Sequence, residues 1–264
     1  MGKDKLRKFK ENETFKCLVQ PSTDQVLGCD HPLKGNWGRD MFGNGNPIVL
    51  ELGCGKGEYT VDLAMRNPSC NYIGVDIKGA RLWKGAKFVE ENNLRNVAFL
   101  RTRIEFIESL FAPGEVSEIW ITFADPQIGR EKKRLTSPLF MNRYRNFLKE
   151  GGIINIKTDS RYLHEYSKAM ALKNGLKILA CGTDIYNIDK ESIINSELRS
   201  VCGEKSVQAL FEVQTFYEKH FLAQGYDITY LAFTIDHQGE YLSPEWDEER
   251  WKDENHQAFA VQVH

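Results

Sequence analysis

The chain has 264 residues, 41% of them hydrophobic, enough to bury a full core and to build one large α/β domain with appendages, which excludes a disordered chain. A net charge of −2 argues against a general nucleic-acid coat. No apolar run approaches the roughly 18 residues a membrane span needs, and the basic stretch 1–12 has no apolar core behind it. A cytoplasmic protein with no membrane association is therefore expected. The six cysteines (17, 29, 54, 70, 181 and 202) lack close paired spacing and the six histidines are scattered, so neither a disulfide frame nor a metal is expected.

In chain order, Lys3, Lys5, Arg7, Lys8 and Lys10 stand against the single acid Asp4 and read as a flexible basic arm. Residues 1–46 form this arm and a lead-in. From 47 to 235, hydrophobic periodicity predicts strands near 47–52, 71–76, 97–101, 118–123, 152–157, 176–181 and 228–235. Helices are predicted near 58–66, 79–92, 104–111, 136–148, 160–174 and 207–223, with Gly225 as a C-cap. Alternation of strand and helix implies a mainly parallel, seven-stranded sheet covered on both faces. Residues 236–264 form an acidic extension carrying Trp246 and Trp251.

The first strand, Pro47-Ile-Val-Leu-Glu-Leu52, runs into Gly53, Gly55 and Gly57. Glycines there let the backbone turn sharply and approach a ligand, with the next helix aiming its free N–H groups at the same place. A dinucleotide fingerprint needs glycine at positions one, three and six; counted from Gly53, position five is Gly57 and position six is Glu58. An acid at Glu51 is also poorly placed beside a pyrophosphate and well suited to the positive centres of S-adenosylmethionine. Asp76, ending the second strand, is placed to accept hydrogen bonds from ribose hydroxyls. The competing interpretation is a glycine turn with two ordinary strand-end acids.

Two later strands also end in acids. Glu118-Ile-Trp-Ile-Thr-Phe123 leads to Asp125, aimed by Pro126, and Ile153-Ile-Asn-Ile-Lys-Thr158 leads to Asp159. The competing interpretation is that Asp125 caps a helix or turn and that Asp159 N-caps the following helix. A basic run, Arg130 to Arg134, follows Asp125 and is either a phosphate contact or a solvated surface. Thr215 and Glu218 lie three apart on one helical face, where a hydroxyl and a carboxylate can read a base edge or form a capping box.

Taken in order, Leu-Glu-Leu-Gly-Cys-Gly-Lys-Gly at 50–57, Ile-Gly-Val-Asp-Ile at 73–77, Phe123-Ala-Asp-Pro126, Lys133-Arg134-Leu135, Lys157-Thr158-Asp159 and Thr215-Phe-Tyr-Glu218 resemble the bacterial tRNA (guanine-N7-)-methyltransferase family. The resemblance covers about residues 47 to 235. It implies a class I methyltransferase fold, Rossmann-like, with an antiparallel last strand. It further implies S-adenosylmethionine as cofactor, held by Glu51, Gly53, Gly55, Gly57, Asp76 and Asp125, and tRNA as partner, with a monomer or homodimer as the assembly. Asp125 and Asp159 would be the catalytic pair facing a variable-loop guanosine at tRNA position 46, with Thr215 and Glu218 binding the same base.

There are two departures. The family has an acid followed by Ala after the third strand, where this chain has Arg103 and Ile104 as the candidate adenine contact, through their backbone, with Glu105 as the alternative. The stretch 127–134 is two residues shorter than usual and lacks a Trp; Gly129 stands in the place of a family lysine, with Arg130 beside it as the substitute. The alternatives are a methyltransferase of the same fold with another substrate, and a noncatalytic RNA-binding relative.

Overall fold

The computed structural model describes residues 3–251 except His237; Asp253 and Glu254 of the acidic extension lie outside the described residues. The strands are β1 (Leu18–Val19), β2 (Ile48–Leu52), β3 (Asn71–Asp76), β4 (Val97–Arg101), β5 (Val116–Thr122), β6 (Leu148–Thr158), β7 (Ile178–Gly182) and β8 (Thr229–Thr234). They form one sheet in the order β1-β4-β3-β2-β5-β6-β8-β7, in which β8 runs antiparallel to both its neighbours and the other pairings are parallel. The expected seven strands thus become eight. The addition is β1, paired at the edge with Phe99 and Leu100, and two residues are too few to show a period of two.

The helices are α1 (Lys3–Asn12), α2 (Glu58–Arg66), α3 (Gly79–Glu91), α4 (Pro138–Tyr144), α5 (Arg161–Lys173), α6 (Lys190–Ile193), α7 (Ser196–Cys202), α8 (Glu204–Glu212) and α9 (Phe216–Ala223). The helix expected over 207–223 is two helices, because Thr215 caps a fresh start at Phe216 by accepting from the Glu218 N–H. The polar stretch before it also folds, with the Asn195 side chain capping α7. The segment 104–111 forms only a short 3₁₀ helix, Ile104–Ser109. Gly225 has φ +81° and its N–H reaches the Leu222 carbonyl, as expected of a residue that closes a helix.

The basic stretch 3–10 is a helix rather than a flexible arm. It is docked on α3: Asn12 donates to the Gly79 carbonyl at 2.8 Å, Trp83 donates to Glu11 at 2.6 Å, and Arg7, Lys8 and Lys87 all lie about 5 Å from the Trp83 ring. Trp37 joins the main core, stacked on Phe111 with its indole N–H on the Leu110 carbonyl.

β2 sits between β3 and β5, so the chain leaves the sheet centre in opposite directions on its two sides. That switch point is where an open parallel sheet offers a crevice at the carboxyl ends of its strands.

Candidate active site

All five residues of β2 are buried. Its last turn bonds back to the neighbouring strand, with the N–H groups of Gly53 and Cys54 on the Val75 carbonyl. Gly53, Gly55 and Gly57 all have positive φ. At Gly57 a Cβ would also lie 2.4 Å from the Phe99 ring, so glycine is required by both conformation and space. Gly53 and Gly55 have nothing within 4 Å of the place a Cβ would occupy, and the open side of the loop is there. Asp76, almost wholly buried, holds the loop through the Gly55 N–H at 3.0 Å and its own turn through the Lys78 N–H at 2.7 Å.

Glu51 sits behind this loop. Its carboxylate accepts from the Thr60 N–H at 2.9 Å and from the hydroxyls of Thr60 and Thr122, fastening β2 to α2 and β5. Burial pushes its carboxyl up to about 7, against the pull of these hydrogen bonds, and the charge of Asp76 adds a smaller push in the same direction.

β5 leaves the sheet through Phe123, whose φ of +49° is unusual for a bulky residue. Its ring stacks on Phe221 of α9 at 6.2 Å. Asp125 follows on an exposed turn, its Oδ1 accepting from the Gln127 N–H at 2.9 Å. Asp159 is half-buried at the end of β6. The cap of α5 is Ser160, whose hydroxyl accepts from the Leu163 N–H, so Asp159 is not needed there.

Thr215 and Glu218, expected on one helical face, are both buried, and the Thr215 hydroxyl caps the helix start. Glu218 pairs with the equally buried Lys157 at 2.7 Å and accepts from the Tyr186 hydroxyl at 2.6 Å, both on Oε1; Oε2 has no partner among the described residues. Lys157 also donates to the carbonyls of Leu210 and Val213 at 2.7 and 3.0 Å, and burial lowers its pKa against the pull of Glu218. The reason is tertiary: the start of α9 is tucked against β6 and α8. It also abuts the glycine loop, where the Phe216 N–H donates to Glu58 at 2.9 Å and Lys56 lies 4.7 Å from the Phe216 ring. Phe216 is 59% exposed, an aromatic face beside the loop that sequence reasoning missed. Its signal was an aromatic pair, Phe216 and Tyr217, directly after the capping Thr215 at a helix start.

Arg103 is exposed and 3.4 Å from Glu105, and Ile104 packs partly into the core; both follow β4, whose Arg101 is in register with Asp76. Gly129 and Arg130 lie on an exposed turn with Lys132 and Lys133. Arg134, grouped with them in the sequence, is wholly buried, its guanidinium 3.9 Å from the Tyr166 ring centre, and offers nothing to a phosphate.

The structure therefore collects the glycine loop, Asp76, Asp125, Asp159 and the start of α9 at one edge of the sheet. A surface hollow of about 770 Å³, lined by Gly38, Asn44, Ser117 and Lys149 among others, lies at the opposite edge and takes no part. No cluster of His, Cys, Asp or Glu suited to a metal occurs among the described residues, and none of their helices is long and apolar enough to cross a membrane.

Residues 45–228 match a family described as putative methyltransferase. Over 236 residues, 89% of this chain and 99% of the relative, the sequence is 50% identical to a tRNA (guanine-N(7)-)-methyltransferase of Christiangramia forsetii. The chain belongs to the tRNA (guanine-N7)-methyltransferase family. The family's member in Bacteroides fragilis is 43% identical over 93% of this chain and 91% of its own, and that in Bacillus subtilis 34% over 75% and 95%. A 16S rRNA methyltransferase, 17% identical and matching at a TM-score of 0.53 over 75% of this chain and 90% of its own, shares the class I methyltransferase fold.

Proposed function

We propose that this methyltransferase transfers the methyl group of S-adenosylmethionine to N7 of a guanosine in the variable loop of tRNA, at position 46. The observation that carries this is the 50% identity spanning 99% of a relative named for that guanine-N7 chemistry. The site fits the cofactor: the loop is open above Gly53 and Gly55, and acids stand at Glu51 and Asp76 around it. Gly53, Gly55, Gly57 and Asp76 would hold it, with Arg103 and Ile104 toward the adenine and Asp125 toward the reacting end.

When bound, the cofactor supplies an electrophilic methyl group on a sulfonium. Guanine N7 has a lone pair and no proton, so no side chain has to remove one. The work of the chain is to orient the base, exclude water and offset the positive charge that arrives on the purine. Asp125 and Asp159 do this as carboxylates. Thr215 and Glu218 support the base from the buried side, and Gly129 and Arg130 approach the RNA from the exposed turn.

The test incubates the protein with methyl-labelled S-adenosylmethionine and bulk tRNA, then digests the RNA. Label in 7-methylguanosine is expected; cofactor binding without labelled RNA would favour another substrate or a noncatalytic relative.

Glu51 makes cofactor binding pH-dependent. A cation bound nearby favours its charged form, so binding below about pH 7 releases a proton, and affinity rises with pH up to about 7 and then levels. Calorimetry in two buffers of different ionisation enthalpy reads this directly. The dependence should vanish in Glu51→Gln; proton uptake on binding would rule out the role.

We assign the exposed Lys5 and Lys10 of α1 to the RNA backbone. The double variant Lys5→Glu/Lys10→Glu should reduce the salt slope of tRNA binding by about 2 and leave cofactor affinity unchanged. An unaltered slope would remove α1 from the interface.

A further inference from the structure

The segment after β8 returns to the site. It is anchored by the backbone of Leu242, which exchanges hydrogen bonds with the Asn174 side chain at 2.7 and 2.9 Å. Trp246 then packs edge-on against Tyr162 and Tyr166 of α5, with ring centres 5.6 and 5.4 Å away, and stacks on Trp251 at 5.9 Å.

Between the two tryptophans lies Glu248. Its carboxylate accepts from the Gly129 N–H at 3.2 Å, from Arg134 Nη2 at 3.2 Å and from the Tyr162 hydroxyl at 2.6 Å. Arg134 in turn donates to the carbonyls of Pro126 and Gln127 at 2.9 and 3.1 Å. One carboxylate thus grips the turn 125–130 twice, directly at Gly129 and through a buried guanidinium at Pro126 and Gln127. The Gln127 N–H is the group that holds Asp125.

We propose that Glu248 is a positioning residue that sets the turn bearing Asp125 from the far end of the chain. This rests on the guanine-N7 reading above. An exposed turn with two residues at positive φ, Gln127 and Gly129, has few contacts of its own to select one conformation. Charge-assisted bonds from Glu248 and Arg134 supply the selection, and the four rings of Tyr162, Tyr166, Trp246 and Trp251 keep the segment seated.

The full-length chain carrying Glu248→Ala is compared with Glu248→Asp and the unaltered protein. Folding should survive, since Arg134 keeps the two carbonyls and the Tyr162 hydroxyl. Two readouts are taken: hydrogen exchange of the amides of 127–130 without substrate, and kcat and KM for tRNA methylation. In Glu248→Ala, exchange should speed and kcat fall about ten-fold, and Glu248→Asp should restore part of both. Unaltered exchange would overturn the grip. Faster exchange with unaltered kcat would overturn the positioning role. Absence of transfer by the unaltered protein would overturn the assignment of function and with it the catalytic part of this proposal, and the exchange data distinguish that failure because they need no substrate.

Discussion

Asp125→Ala should lower kcat for guanine-N7 methylation by about 10²–10³-fold, the range expected when one group that stabilises developing charge is lost. The carboxylate sits on an exposed turn at the carboxyl edge of the sheet, at the end of β5, which pairs with the strand that delivers the glycine loop. Since N7 has no proton to lose, its value to the reaction is charge and alignment. Asp125→Asn separates the two. It retains an oxygen for the Gln127 N–H, so the turn keeps its shape while the negative charge is gone. Partial activity in Asn with near-total loss in Ala would assign most of the effect to alignment; equal loss in both would assign it to charge. Single-turnover rates on tRNA with saturating cofactor give the answer, and wild-type rates in both variants would remove Asp125 from the reaction.

Lys157→Met should destabilise the fold by about 3–5 kcal/mol, because it leaves the Glu218 carboxylate buried without its cation. Both side chains are wholly buried, so solvent does not screen the loss. The paired variant Lys157→Met/Glu218→Leu removes both charges and should recover part of the stability. Recovery stays incomplete because the carbonyls of Leu210 and Val213 lose the donor that Lys157 supplies, at about 1–3 kcal/mol for each one left unpaired. Urea unfolding midpoints at constant slope measure both. A single-variant loss below about 1 kcal/mol would show that the pair is not a structural clamp. Glu218 also has one oxygen without a partner among the described residues, at the start of the helix that abuts the glycine loop. The double variant should therefore lose tRNA methylation even where its stability returns.

The lysine, the glutamate and the arginine show where sequence reasoning stopped. Lys157 and Glu218 are 61 positions apart, and nothing local to either says that they meet. Thr215 and Glu218 were correctly placed on one helical turn by their spacing, yet which way that turn faces depends on α8 and β6. Arg134 reads as part of a basic surface run, but its neighbours Tyr162, Tyr166 and Glu248 come from later in the chain and bury it. The basic stretch 3–10 has a helical charge pattern, with Arg7 between Asp4 and Glu11, but its docking needed Trp83.

The sequence by itself determined the alternation of strand and helix, the glycine loop at 53–57, the strand-end acids Asp76, Asp125 and Asp159, and the family they spell out. These are local: a period of two or 3.6, a glycine forced by positive φ, and a carboxylate delivered by the end of a strand are all written within a dozen residues. Only the tertiary structure decided that Glu51 braces the loop from behind, that Glu218 is buried on Lys157, that Phe216 lies open beside the loop, and that Glu248 closes on the turn at Gly129. Burial and pairing are properties of the whole packed chain, because a polar group's partner is whichever group the fold brings within about 3 Å, at any separation along the sequence.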